Sequence, residues 1–182
     1  SPYQLTITTD GQYTIKYFAT DNVGNAETVK TATNTAKLDK TAPAFASGLF
    51  TAPESLACWN SGTHDITWTP GNITDPTSGL ATNPLSLYYS IDGGGNWILL
   101  ASGEANDGSY TWNVPTGINS STCKVQIRAI DNAGITSAVT DANSISATFS
   151  IYDAPTITDQ PDNATACYGA VNNDFTVVAT GG

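Results

Sequence analysis

The sequence predicts an all-β protein built from tandem β-sandwiches, one complete and two partial. Composition is the first observation: only 12% of the 182 residues are charged and none is Met. Thr, Ser, Asn, Gly and Ala take their place, and Thr in particular favours strands. The second observation is an internal repeat, and the third is a series of short alternating segments separated by turn signals, with no sustained helical period.

The repeat sets the size of one module. Residues 13–24 (YTIKYFATDNVG) align with residues 123–134 (CKVQIRAIDNAG), at an offset of about 110 residues. Both copies alternate apolar and polar residues and end in Asp-Asn-x-Gly, which is typical of a half-buried strand that runs into a turn. An offset of this size fits one two-sheet sandwich.

Proline linkers divide the chain into three parts. Lys40–Pro43 and Tyr152–Pro155 each follow a Thr- and Ala-rich segment, and proline there ends a strand and stiffens the joint. We therefore predict partial sandwiches at 1–42 and 155–182, both completed in a longer parent protein, and a complete one at 43–154. Its seven predicted strands, with a long loop at 70–84, are 49–51, 64–69, 85–91, 96–101, 109–114, 123–130 and 145–151.

The turn and linker residues carry a family resemblance. Residues 10–25 (DGQYTIKYFATDNVGN) and 38–43 (LDKTAP) resemble bacterial and archaeal cell-surface repeats of immunoglobulin-like or fibronectin type III-like fold. Residues 155–161, 167–169 and 175–181 resemble another immunoglobulin-like repeat of secreted bacterial proteins. The resemblance implies secretion, surface display and tandem arrays, and it brings no catalytic residues.

The fibronectin-like strand order implies a disulfide. It places Cys58 and Cys123 at the same pole of the central sandwich, where we expect them to pair. Cys123 also aligns with Tyr13, which stands where a tyrosine corner pins this strand. Cys167 matches Cys58 in the next repeat, so we expect it to be unpaired in this chain. A disulfide would indicate an oxidising, extracellular location; the alternative is two buried free thiols.

The same strand order implies a calcium site at the first linker. It places Asp10 and Asp39 at the far pole of the first sandwich, and Asp75 and Asp131 at the near pole of the second. Calcium prefers six to eight oxygen ligands, which these carboxylates and nearby carbonyls could supply. The alternative is that each Asp simply caps its own turn.

The remaining motifs favour structural roles. Ser90–Trp97 matches an Asp-box, which we interpret as a structural hairpin. His64 has no nucleophile or carboxylate arranged around it, so we predict that the chain is not an enzyme. Trp68 and Trp112 occupy core-facing positions, and Trp59 is the one we expect near the surface, where it could serve carbohydrate recognition.

The net charge and the glycosylation sequons indicate which partners and which location to expect. The net charge of −10 disfavours nucleic acid and anionic membranes, and no apolar run reaches the roughly 20 residues of a spanning helix. Asn72, Asn119 and Asn163 begin glycosylation sequons, which are compatible with secretion.

The sequence therefore predicts an extracellular structural or spacer segment of a stalk, sheath, lattice or appendage. Its expected partners are other copies of itself or neighbouring repeats, and its expected cofactors are none or calcium. The alternatives are an adhesin or glycan-binding module, acting through loops such as 70–84, and an accessory region of a larger secreted enzyme.

Overall fold

The structure is a computed structural model that describes residues 4–159 and 176–180. Its helical segments are two 3-10 turns, Pro70–Asn72 and Ala142–Ser144. The strands are β1 Gly11–Tyr17, β2 Lys30–Leu38, β3 Ala44–Phe45, β4 Phe50–Ala52, β5 Cys58–Trp59, β6 Gly62–Trp68, β7 Ile73–Thr74, β8 Leu80–Ser90, β9 Ile98–Glu104, β10 Ser109–Val114, β11 Ser120–Asp131, β12 Phe149–Ile151, β13 Thr156–Asp159 and β14 Val178–Thr180. The predicted all-β fold is confirmed.

Strands β3 to β12 form the central sandwich. One sheet has the order β10-β6-β4 and the other has the order β5-β12-β11-β8-β9. The short strands β3 and β7 pair with each other as a separate two-stranded sheet. Alternation along β11 explains the packing, because Cys123, Val125, Ile127 and Ala129 are all at most 1% exposed. These side chains meet the opposite sheet in an immunoglobulin- or fibronectin type III-like core. The other core members are Phe45, Leu49, Ile66, Trp68, Ile73, Leu85, Leu87, Trp112, Val114, Ile118, Phe149 and Ile151.

The structure differs most from the predicted strands before β8. It also shortens the predicted 145–151 strand to β12 and adds the short strands β3 and β5. The predicted loop at 70–84 contains the 3-10 turn, β7 and the first residues of β8, which runs through Pro84. Asn83 has a φ of 50°, and the pairing with β11 shifts register between Ala129 and Asp131. This bulge accommodates a proline that a regular central strand would reject.

The chain on either side of the central sandwich forms two-stranded sheets. Strands β1 and β2 pair antiparallel in what we call the N-terminal sheet, and β13 pairs with β14. The Tyr13 hydroxyl donates to the Thr9 carbonyl oxygen at 2.6 Å. This bond is the expected tyrosine corner.

Candidate metal centre

Asp131 ends β11 and holds its own turn with one carboxylate oxygen. Its Oδ1 accepts from the Ile135 amide at 2.8 Å, and Gly134 adopts a φ of 84°, a conformation that favours glycine. Its Oδ2 is buried without any hydrogen-bond partner, and the residue is 2% exposed. A buried, unpartnered carboxylate oxygen is costly unless a cation approaches it.

The first copy of the same turn shows why that oxygen is free. Asp21 accepts from the Asn25 amide with Oδ1 at 2.8 Å, as Asp131 does with Ile135. Asn25 then donates its side-chain Nδ2 to Asp21 Oδ2 at 2.9 Å. Ile135 has no such donor. One residue type, four positions after the aspartate, therefore decides whether the second oxygen has a partner.

Asp75 repeats the pattern in the loop before β8. Its Oδ1 accepts from the amides of Thr77, Ser78 and Gly79 at 2.8–3.0 Å. Its fourth following residue is a glycine, which has no side-chain donor, and Oδ2 is buried without a partner. Asp75 is 9% exposed.

Asn132 ties this loop to the Asp131 turn. Its backbone amide donates to the Gly79 oxygen, and its side-chain amide donates to the Ser78 oxygen, both at 2.9 Å. Because these bonds link the two loops directly, they set the separation of Asp75 and Asp131.

Asp39 arrives from the N-terminal sheet, directly after β2. Its Oδ1 accepts from the Thr41 amide at 3.0 Å, and its Oδ2 has no partner. Asp39 is half-buried, and it lines a cavity of about 370 Å³ together with Lys37, Ser78 and Asn132.

The three aspartates converge on one point. One carboxylate oxygen from each of Asp39, Asp75 and Asp131 lies within 4.8 Å of the other two. Each residue keeps an unpartnered Oδ2, and each uses Oδ1 to hold its own loop. The arrangement offers three negatively charged, hard oxygen ligands, which suit calcium better than a metal that prefers nitrogen or sulfur.

Asp10, the fourth predicted ligand, does not join this cluster. Its Oδ2 accepts from the Thr41 hydroxyl at 2.6 Å. Thr41 in turn donates its amide to Asp39. Asp10 therefore positions the residue that holds Asp39, and its predicted role as a ligand stays a prediction.

The predicted Cys58–Cys123 disulfide is not formed, and both thiols are free. Cys58 pairs with Ser150 and Cys123 pairs with Phe149, so β12 lies between the two cysteines. Two strand spacings separate the two Cα atoms by about 9.5 Å, which exceeds the roughly 7 Å Cα–Cα distance that a disulfide can bridge. Cys58 is exposed, whereas Cys123 faces the core, where burial raises the pKa of its thiol. Cys167 lies outside the described residues.

The Asp-box forms the expected structural hairpin. Asp92 Oδ1 accepts from the Ser90 hydroxyl at 2.7 Å and from the Asn96 amide at 2.9 Å, and Oδ2 accepts from Asn96 Nδ2 at 2.6 Å. These bonds hold the pKa of Asp92 well below its ordinary value, and the bond from the Ser90 hydroxyl has the largest effect. Both oxygens are occupied, as in the Asp21 turn.

The aromatic candidates are mostly packed. Trp68 and Trp112 are each 4% exposed, as predicted. Trp59 is half-buried and its ring stacks on that of His64, with 4.7 Å between the ring centroids. The centroid of the Phe149 ring lies 4.9 Å from that of Trp59. His64 also bonds the Asn60 carbonyl oxygen. Trp59 therefore packs the end of the core and does not stand out as a platform for sugar.

Two of the three sequon asparagines are described. The Asn72 side-chain nitrogen, to which a glycan would attach, donates to Ser47 and Gly48 oxygens at 3.2 and 3.1 Å. Asn119 is exposed and accepts from the Asp153 amide with its side-chain oxygen. Asn119 is therefore better placed for glycosylation than Asn72. Asn163 lies outside the described residues.

Comparison with known proteins adds little to the fold. No family model matches the chain, and no curated protein matches it. The chain is similar to a crystal structure of the FN1-FN3 domains of chicken CNTN1, at 13% identity and a TM-score of 0.36. The match covers 93% of this chain and 62% of that one. Within the described ranges, helices fall short of the length and apolarity needed to cross a bilayer.

Proposed function

We propose that this chain is a spacer segment of an extracellular tandem-repeat protein, in which a calcium ion fixes the joint between the N-terminal sheet and the central sandwich. The supporting observation is the convergence of Asp39, Asp75 and Asp131. Each of their carboxylates offers one oxygen within 4.8 Å of the other two, and each keeps an Oδ2 without a hydrogen-bond partner. Asp39 precedes the proline linker, and the other two residues belong to the central sandwich.

The charge at the joint supports a divalent cation as the ligand. Three carboxylates that share one point repel each other, and the repulsion weakens the joint unless a cation neutralises it. Lys37 lines the same cavity, yet the one ion pair among the described residues joins Lys30 and Glu27 elsewhere. Backbone carbonyls and water would complete the coordination sphere.

An ion held in this way would act as a cross-link between modules. Without it, residues 40–43 are the covalent connection between Asp39 and the central sandwich, with proline limiting the backbone at one end. With the ion, ligands on both sides of the linker share one centre, so bending requires the loss of a metal bond. Calcium at 100 times its Kd would stabilise the folded chain by about 2.7 kcal/mol.

Calorimetric titration of the chain with calcium tests the ion, with Asp131→Asn as the variant and Asp21→Asn as the matched control. We expect one site in the parent and in the control, and no measurable binding in Asp131→Asn. Small-angle scattering with calcium or with chelator tests the joint. We expect the particle to have a narrower distribution of overall dimensions with calcium, because the joint bends less. Absence of binding at millimolar calcium would refute the metal centre.

The spacer role has its own test. Tandem sandwiches with proline linkers give an extended particle, and contacts with other copies would form through exposed edge strands such as β9 and β5. Sedimentation over a range of concentrations measures shape and self-association together. A compact particle in the presence of calcium would contradict the spacer role.

A further inference from the structure

The outer face of the five-stranded sheet carries a groove that the proposed joint does not use. Its floor is formed by Lys124 and Arg128 on β11. One wall is the Asp-box hairpin with Trp97, and the other is the segment that contains Val139 and Ile145. This depression measures about 460 Å³, and a second one of about 280 Å³ adjoins it and shares Arg128 and Val139. Together they suit an elongated ligand.

The charge of the groove is opposite to that of its surroundings. Residues 43–154 contain nine carboxylate side chains and two bases, and the two bases are Lys124 and Arg128. Within the described chain, neither base forms an ion pair with a carboxylate. Both bases therefore remain available to an anion from outside.

Arg128 is held in place before any ligand arrives. Its guanidinium carbon lies 3.9 Å from the centre of the Tyr88 ring, and its Nε donates to Gln126 Oε1 at 3.0 Å. Gln126 is 0% exposed and is itself fixed by the Val139 carbonyl oxygen at 2.7 Å. Among the described residues, the hydrogen bond of the guanidinium is that of Nε, so its two terminal nitrogens are open to a planar, bidentate carboxylate.

We propose that this groove binds an acidic glycan through its carboxylated sugar rings. Trp97 supplies an aromatic surface for the apolar side of a ring, while Arg128 and Lys124 bind carboxylates. The two bases stand four residues apart on one strand, about 13 Å, so they reach more than one ring of a chain.

Two features favour a glycan over an acidic peptide. The groove lies over β8 and β11, which are interior strands of the sheet, so their backbone groups are already paired and a peptide gains no strand-like bonds there. The binding elements are aromatic rings and separated charges, which suit alternating apolar and carboxylate surfaces of sugars.

The test is a titration of the chain with tetragalacturonate in the presence of chelator, which makes it independent of the calcium joint. We expect binding whose affinity decreases as salt is added. The affinity should fall at least tenfold in Arg128→Lys and in Lys124→Gln, and it should be unchanged in Lys16→Gln on the N-terminal sheet. Trp97→Ala should abolish binding, and its circular dichroism should show that the fold is retained.

Three results would overturn the glycan site. The first is equal binding of neutral maltotetraose, because the bases would then play no part. The second is equal binding of a polyglutamate peptide that is lost in the same variants, because the ligand class would then be acidic protein. The third is no binding of tetragalacturonate at millimolar concentration.

Discussion

Replacing Ile135 by Asn should close the metal centre without removing any of its carboxylates. In the Asp21 turn, Asn25 occupies the position that corresponds to Ile135 and donates to Asp21 Oδ2 at 2.9 Å. The two turns share the same backbone bonds, with the fourth residue donating to the aspartate Oδ1 at 2.8 Å in both. An Asn at 135 should therefore reach Asp131 Oδ2.

The substitution should change the two states of the chain in opposite directions. Without calcium, a buried oxygen gains a partner, which we expect to stabilise the fold by about 1 kcal/mol. With calcium, the same oxygen is no longer a free ligand, and we expect at least a tenfold weaker Kd, or about 1.4 kcal/mol. The increase in Tm that calcium produces should therefore be smaller in Ile135→Asn, because the calcium-free chain is more stable and calcium binds it more weakly.

Thermal denaturation with chelator and with calcium, together with calorimetric titration, measures both effects. Ile135→Leu is the matched control, because it keeps an apolar side chain of the same size and supplies no donor. If Ile135→Asn binds calcium as tightly as the parent, the explanation of the free oxygen is wrong. A lower Tm in chelator than Ile135→Leu would contradict the predicted hydrogen bond.

Three further predictions concern the aspartate cluster, the Asp-box hairpin and the cysteines. Asp75→Asn should weaken calcium binding at least tenfold, whereas Asp10→Asn, which changes only a support of the linker, should weaken it less; calorimetry compares the two. The pKa of Asp92 is depressed in the folded state, so its contribution to stability is present above the unfolded pKa of about 3.9 and is lost as pH falls below it. Urea unfolding should show that the free energy of unfolding falls less between pH 7 and pH 3 in Asp92→Asn than in the parent. A thiol reagent should label Cys58 in the native chain and Cys123 only after unfolding, and equal labelling of both would contradict the buried thiol.

Local patterns in the sequence determined the position of several strands and turns. Strand β10 lies at 109–114, as predicted, because alternation between two turn signals is enough to place a strand in a sandwich. The repeat at an offset of about 110 residues likewise predicted that Asp21 and Asp131 would hold equivalent turns, since those bonds reach only four residues along the chain.

The aspartate cluster of the candidate metal centre could be predicted in part. The assumed strand order brought Asp39, Asp75 and Asp131 to one joint, and the structure places their oxygens together. The sequence also contained an overlooked signal, because Asn25 and Ile135 differ at equivalent positions of the two turns. That difference shows which aspartate keeps a free oxygen.

Other contacts between distant segments were decided by the tertiary structure alone. Asp10 supports the linker because Thr41, 31 residues later, donates to its carboxylate. The cysteines remain apart because β12 inserts between their strands. The groove exists because Lys124 and Arg128 share a face with Tyr88 and with a segment that folds back over Gln126. Each outcome depends on which strand neighbours which, and a local pattern of residues carries no record of that pairing.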